Sequence, residues 1–201
     1  MHVRYSIDQK LEEFRGQRIL LFPNPGNAGD CLILTGTVTA LGRAGISCSI
    51  IDENSDVSRA TVFLGGGGNM VPLYRDISDA LERFLPRAAR IVILPHTIRG
   101  HRGLIRRLHR RVTVLCREEA SLAYVRAVNP HITSALVHDM AFHIDAHSLL
   151  ARTDLARQGL PVLEAALGSA GQTLAAIAAK PRVRFMRGDK ERTETSTDSH
   201  I

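Results

Sequence analysis

The chain has 201 residues, 44% hydrophobic and 23% charged, enough for one domain with a substantial core. Aromatic residues make up only 4% and Trp is absent, which argues against recognition of sugars or bases by ring stacking alone. A formal net charge of +6 favours anionic partners, whether phosphorylated metabolites, nucleic acid or an acidic membrane face.

The opening MHVRYSIDQKLEEF is polar and amphipathic, and reads as a helix over about 6–15 rather than as a leader. No run approaches the ~20 apolar residues that span a bilayer. Cys31, Cys48 and Cys116 lie in apolar runs with neither metal spacing nor an even count, so a reducing cytoplasm is the expected compartment. Six candidate strands follow: RILLF (18–22), ISCSIID (46–52), ATVFLG (60–65), RIVILP (90–95), VTVLC (112–116) and SALVHD (134–139). They are continuous apolar runs, as expected of parallel strands buried on both faces. Between them Leu34, Val38 and Leu41, then Ile77, Leu81 and Phe84, then Leu104, Ile105 and Leu108 recur at helical spacing. Strand alternating with helix predicts a doubly wound α/β domain with a mainly parallel sheet, extending over 1–179. Its last part, about 148–178, is again helical in pattern. VRFM (183–186) reads as one more strand, and 180–201 as the start of a second domain or a polar tail.

Ligands of open parallel sheets bind beyond the carboxyl ends of the strands. Those positions carry PNPGNAGD, GGGGNM, PHTIRG, REEAS and DMAF. In the first, Gly26 and Gly29 expose amides ahead of a helix, which suits an anion, while Asn27 and Asp30 suit hydroxyls or cap the helix. Gly65, Gly66, Gly67 and Gly68, ahead of Asn69, predict a close approach to the backbone; the alternative is a flexible loop. His96, with Thr97 beside it, is expected at the rim, as a proton carrier or as a structural group. Arg117 offers a fork for carboxylate or phosphate, or pairs with a neighbouring acid, and Glu118 and Ser121 open the next helix. Asp139, beside His138, takes a hydroxyl or caps a turn. The stretch RGHRGLIRRLHRR (99–111) holds six Arg and two His around an apolar stripe. It reads as a solvated basic face, with an anionic membrane surface or a polyanion site as the alternative. No convincing metal ligand set is present.

NPGNAGD with the following Leu32 and Ile33, GGGGN, LPHT, CREEAS with Tyr124, and HDMAF occur in this order. Together, from about residue 18 to 145 and weakly in FMRGDKE (185–191), they resemble the polysaccharide pyruvyl transferase family. The resemblance implies two Rossmann-like domains facing each other in a GT-B-like architecture, of which this chain is the first half with the second truncated. It implies transfer of a pyruvyl group from phosphoenolpyruvate to two hydroxyls of a sugar or lipid-linked glycan, forming a ketal in exopolysaccharide or cell-surface glycan synthesis. In that reading Arg117 holds the donor carboxylate or phosphate, His96 moves a proton, and Asp30 and Asp139 orient hydroxyls. Asn27, Gly29, Gly66, Gly67, Gly68, Asn69, Thr97, Glu118, Ser121 and Arg187 would line the substrate site. Neither a metal, a cofactor nor a nucleic acid partner is expected, and peripheral attachment at the inner membrane face stays open. A sugar-nucleotide-dependent glycosyltransferase and a non-catalytic half-domain remain the alternatives.

Overall fold

The computed structural model describes residues 3–145. A short strand β1 (Arg4–Tyr5) leads into α1 (Ile7–Leu11) and a 3-10 turn (Glu12–Phe14). Then come β2 (Arg18–Phe22), α2 (Ala28–Arg43), β3 (Ser47–Ile50), β4 (Thr61–Leu64), β5 (Gly67–Met70) and α3 (Asp76–Phe84). The described part closes with β6 (Arg90–Ile98), α4 (Arg102–Arg107), β7 (Val112–Cys116), α5 (Glu119–Val128), β8 (Thr133–Val137) and a 3-10 turn (Met140–His143). The strands form one sheet in the order β1-β8-β7-β6-β4-β2-β3, with β5 added along β6, and every pairing is parallel. This is a Rossmann-like α/β fold. Strand order reverses between β2 and β4, and such a reversal opens the crevice where doubly wound folds hold their ligands.

Alternate residues of each strand enter opposite cores, because successive side chains point to opposite faces. Phe63, Val92, Leu94, Leu115, Ala135 and Val137 pack with Ile7, Leu11 and Phe14 and with Ile33, Ala40 and Leu41 of α2. Val62, Leu64, Ile91, Ile93, Val112, Val114 and Cys116 pack on the other side with Ile77, Leu81 and Phe84 of α3, Leu104 and Ile105 of α4, and Leu122 and Val125 of α5. Burial on both faces explains why the strands read as unbroken apolar runs.

Three local expectations change. Helix α2 does not bury Leu34, Val38 and Leu41 as one stripe: Val38 is exposed, and the inward face is Ile33, Gly36, Thr37, Ala40 and Leu41. Thr37 can lie inward because its hydroxyl donates to the Ile33 carbonyl at 2.8 Å, which leaves no unpaired donor. Strand β6 runs on through Ile98 rather than ending at Pro95. Its register against β7 shifts between Ile93 and His96, and such an irregularity is where a strand tolerates Pro. The GGGGNM segment, expected as a loop, contributes β5. The helical pattern at 148–178, VRFM, Arg187 and the 179/180 boundary lie outside the described residues.

Candidate active site

The glycine run is shaped by the protein's own atoms. A Cβ at Gly65 would collide with the backbone of Asn24, and one at Gly66 would lie 2.6 Å from the Pro95 carbonyl oxygen. Gly67 has φ +148°, a conformation that favours glycine, and its Cα faces the Asn24 side chain. The close approach inferred from sequence is therefore real at these three positions, and what approaches is the turn after β2 and strand β6. Gly68 differs: it is half-buried, and a Cβ there would sit 3.0 Å from the Arg117 Nη2.

Around Gly67 runs a chain of polar side chains. The Asp30 carboxylate receives the Asn27 N–H at 2.9 Å and the Asn24 amide at 3.0 Å. Asn27 in turn accepts the Gly29 N–H at 2.8 Å, so Asn27 and Asp30 form a capping box that starts α2. Asn69 Nδ2 donates to Asn24 Oδ1 at 2.5 Å, and Asn69 Oδ1 lies 3.0 Å from His96 Nε2. These groups fill the crevice at the strand reversal. Between Asn24, Asp30, Ile33, Thr37 and Gly65 there remains a space of about 10 Å³, room for one water-sized group.

His96 ends that chain, and it is 0% exposed. Nδ1 faces the Gly65 carbonyl at 3.2 Å, and Nε2 lies 3.1 Å from the Met70 N–H and 3.0 Å from Asn69 Oδ1. Burial, reinforced by the Arg117 charge, pulls its pKa down to about 3. The sequence placed this imidazole at the rim; the structure encloses it, because β6 continues past it.

A second cluster is more open. Arg117 follows β7 and is anchored by two contacts: Nε donates to Thr97 Oγ1 at 2.7 Å, and Nη1 to Asp139 Oδ2 at 2.9 Å. Thr97 donates to Glu118 at 3.0 Å, Ser121 donates to the other Glu118 oxygen, and Ser121 accepts the Ile98 N–H at 2.8 Å. Asp139 also caps the last 3-10 turn by accepting the Ala141 N–H at 2.9 Å. The Arg117 side chain is 30% exposed and that of Glu118 40%. Gly67 sits opposite His96 in the sheet register, His96 opposite Cys116, and the Arg117 N–H donates to the His96 carbonyl at 3.3 Å. Neighbouring strand ends thus bring both clusters onto one rim.

A family model described as polysaccharide pyruvyl transferase matches residues 27–180, a span that contains both clusters apart from Asn24. The chain belongs to the polysaccharide pyruvyl transferase family. Among solved structures it is similar to a functionally uncharacterized protein from Klebsiella pneumoniae subsp. pneumoniae. The TM-score is 0.63 at 27% identity, covering 71% of this chain and 57% of that one. The chain thus spans little more than half the length of that relative. No curated protein matches it in sequence.

Within this pyruvyl transferase family member, the structure brings together Asn27, Gly29, Asp30, Gly66, Gly67, Asn69 and His96 as one cluster and Thr97, Arg117, Glu118, Ser121 and Asp139 as the other. Gly68 joins them. Arg187 lies outside the described residues. Sequence reasoning missed Asn24, which links Asp30 to Asn69. The signal was its place directly after β2, inside the same turn as Asn27.

Proposed function

We propose that this chain carries the amino-terminal part of a site that transfers a pyruvyl group from phosphoenolpyruvate to two hydroxyls of a glycan. The observation that carries the reading is the anchored guanidinium of Arg117: with Nε and Nη1 held by Thr97 and Asp139, Nη2 is left beside Gly68. A side-chain-less position under a fixed cation suits the close approach of a carboxylate or phosphate.

The reaction adds a proton to the methylene carbon of the donor and bonds a sugar hydroxyl to the adjacent carbon. The bond from that carbon to the phosphate oxygen then breaks, and a second hydroxyl closes the ketal. Arg117 orients the anionic donor and offsets charge on the departing phosphate. Glu118, beside Thr97 and more exposed than Arg117, takes the proton of the attacking hydroxyl. His96, enclosed and neutral, is assigned a positioning role: it ties Gly65 and Met70 across the glycine strand and so fixes where Gly68 lies. Asp139, whose side chain is only 16% exposed, and Asp30, which holds Asn24 and the start of α2, serve as anchors rather than as hydroxyl ligands.

The test is release of inorganic phosphate from phosphoenolpyruvate in the presence of nitrophenyl or lipid-linked sugars, for this chain and for a version extended to the length of its structural relative. Arg117→Ala should weaken donor binding by about 2–5 kcal/mol, as expected when one partner of a desolvated charge pair is removed. Unchanged donor affinity would remove Arg117 from that role. Binding of nucleotide sugars without phosphoenolpyruvate turnover would favour a glycosyltransferase instead.

A further inference from the structure

Two loops on the carboxyl rim, distinct from the Arg117 cluster, are locked to each other. The Arg99 N–H donates to the Met70 carbonyl at 3.1 Å, and a Cβ at Gly100 would lie 2.5 Å from Pro72 Cγ. The Tyr124 hydroxyl fixes the second loop from α5 by donating to the Gly100 carbonyl at 2.8 Å. The first loop ends in an apolar tip, Leu73, which is 56% exposed behind an exposed Pro72. The second opens a segment with exposed Arg99, Arg102, Arg106 and Arg110.

The surroundings do not neutralise these arginines. No Asp or Glu occurs in the sequence between Glu82 and Glu118. Nearby cations do find partners: Arg107 pairs with Glu82, Arg90 with Glu13, and Arg75 with Asp79. Among the described residues, Arg99, Arg102, Arg106 and Arg110 make no ion pair. Arg102 and Arg106 are one helical turn apart, while Leu104 and Ile105 of the same helix are buried, so this cationic face of α4 points outward.

We infer that residues 71–74 and 99–106, with Arg99, Arg102 and Arg106, form a docking surface for an anionic lipid bilayer; Arg110 lies at the far end of the segment, beside Arg111 and the start of β6. An exposed leucine beside a set of uncompensated arginines supplies both ingredients of peripheral binding: apolar insertion and attraction to acidic headgroups. A purely solvated basic face has no need of an apolar tip held rigidly beside it. The absence of interleaved aromatic residues in the stretch speaks against a nucleic acid platform. Because Leu73 and Arg99 lie on the same rim as Arg117, docking would present the candidate site to acceptors carried on headgroups. That consequence rests on the pyruvyl-transfer reading, whereas the docking itself does not.

The experiment is co-sedimentation of the full chain with vesicles of phosphatidylcholine containing phosphatidylglycerol, against phosphatidylcholine alone, with no donor or acceptor added. The chain should partition onto the anionic vesicles only, and less so as salt rises. Arg102→Glu combined with Arg106→Glu should lower partitioning by well over tenfold, since each arginine near such a surface is worth roughly fivefold. Leu73→Ser should lower it several-fold without changing the salt dependence. Circular dichroism melts of the variants verify that each is folded. No binding of the parent chain to anionic vesicles overturns the inference, as does binding that survives the double charge reversal. Equal binding to a soluble single-stranded oligonucleotide, insensitive to Leu73→Ser, overturns it in favour of a polyanion site. Failure of phosphate release leaves these readouts untouched, so the two readings fail separately.

Discussion

His96 shows how burial changes what a residue can do. A histidine usually titrates near 6.5, but here the charged form is held off down to about 3. The sign of the stability effect follows. Above pH 6.5 both folded and unfolded chains carry the neutral ring, and the stabilisation is fully present. As pH falls below 6.5 the unfolded chain takes up the proton first, and the stabilisation declines by about 1.4 kcal/mol per pH unit until it is gone near 3. Between pH 6.5 and 5, above the usual carboxylate range, urea unfolding of the parent chain should lose stability more steeply than His96→Gln by about 1 kcal/mol per pH unit. Parallel curves would mean that the ring is not enclosed as described. Glycines of α2 give a second test. A Cβ at Gly36 would overlap the Met140 carbonyl oxygen, whereas one at Gly42 would meet nothing within 4 Å. Gly36→Ala should therefore destabilise by about 2–3 kcal/mol, and Gly42→Ala should stabilise by about 0.5–1 kcal/mol, both measured by urea unfolding. The identity of these residues was plain in the sequence, but their opposite roles were not, because nothing local distinguishes a glycine under another backbone from one facing solvent.

At the scale of elements, the start of α2 carries more than a cap. Asp30 closes the capping box with Asn27 and also fixes the Asn24 amide, whereas Ser6 caps only the short α1. Ser6→Ala should cost about 1 kcal/mol and Asp30→Ala about 2 kcal/mol or more, read from urea midpoints with an unchanged slope. Equal losses would mean that the link to Asn24 contributes nothing. The strands of the sheet interior were legible because burial on both faces leaves a composition that few other structures share. Strand β1 was too short to register, with only Arg4 and Tyr5. Strand β5 was hidden because its glycines have no strand preference of their own; it exists because the end of β6 supplies a partner and Asn24 leaves no room for side chains. The buried face of α2 was misassigned since an inward threonine that satisfies its own hydroxyl looks polar in sequence.

For the molecule as a whole, parallel pairing does what the sequence could only suggest: it brings residues far apart in the chain to one edge. Arg117 and Asp139 are joined at 2.9 Å, and Thr97 bridges Arg117 to Glu118, across three successive strand ends. The order of these motifs was visible, and their convergence followed from the rule for open sheets. Which of them faces outward was not visible, because that depends on how far each strand extends; three more residues of β6 turned a rim histidine into an interior one. The same sheet determines the behaviour of Cys116. It is fully buried at the end of β7, and burial pushes its thiol up to about 12, while Cys31 lies exposed on α2. Only a thiolate reacts readily with alkylating reagents. Iodoacetamide should therefore tag Cys31 in the native protein and reach Cys116 only when β7 separates from its neighbours, so that mass spectrometry of the two adducts over time becomes a clock for opening of the sheet.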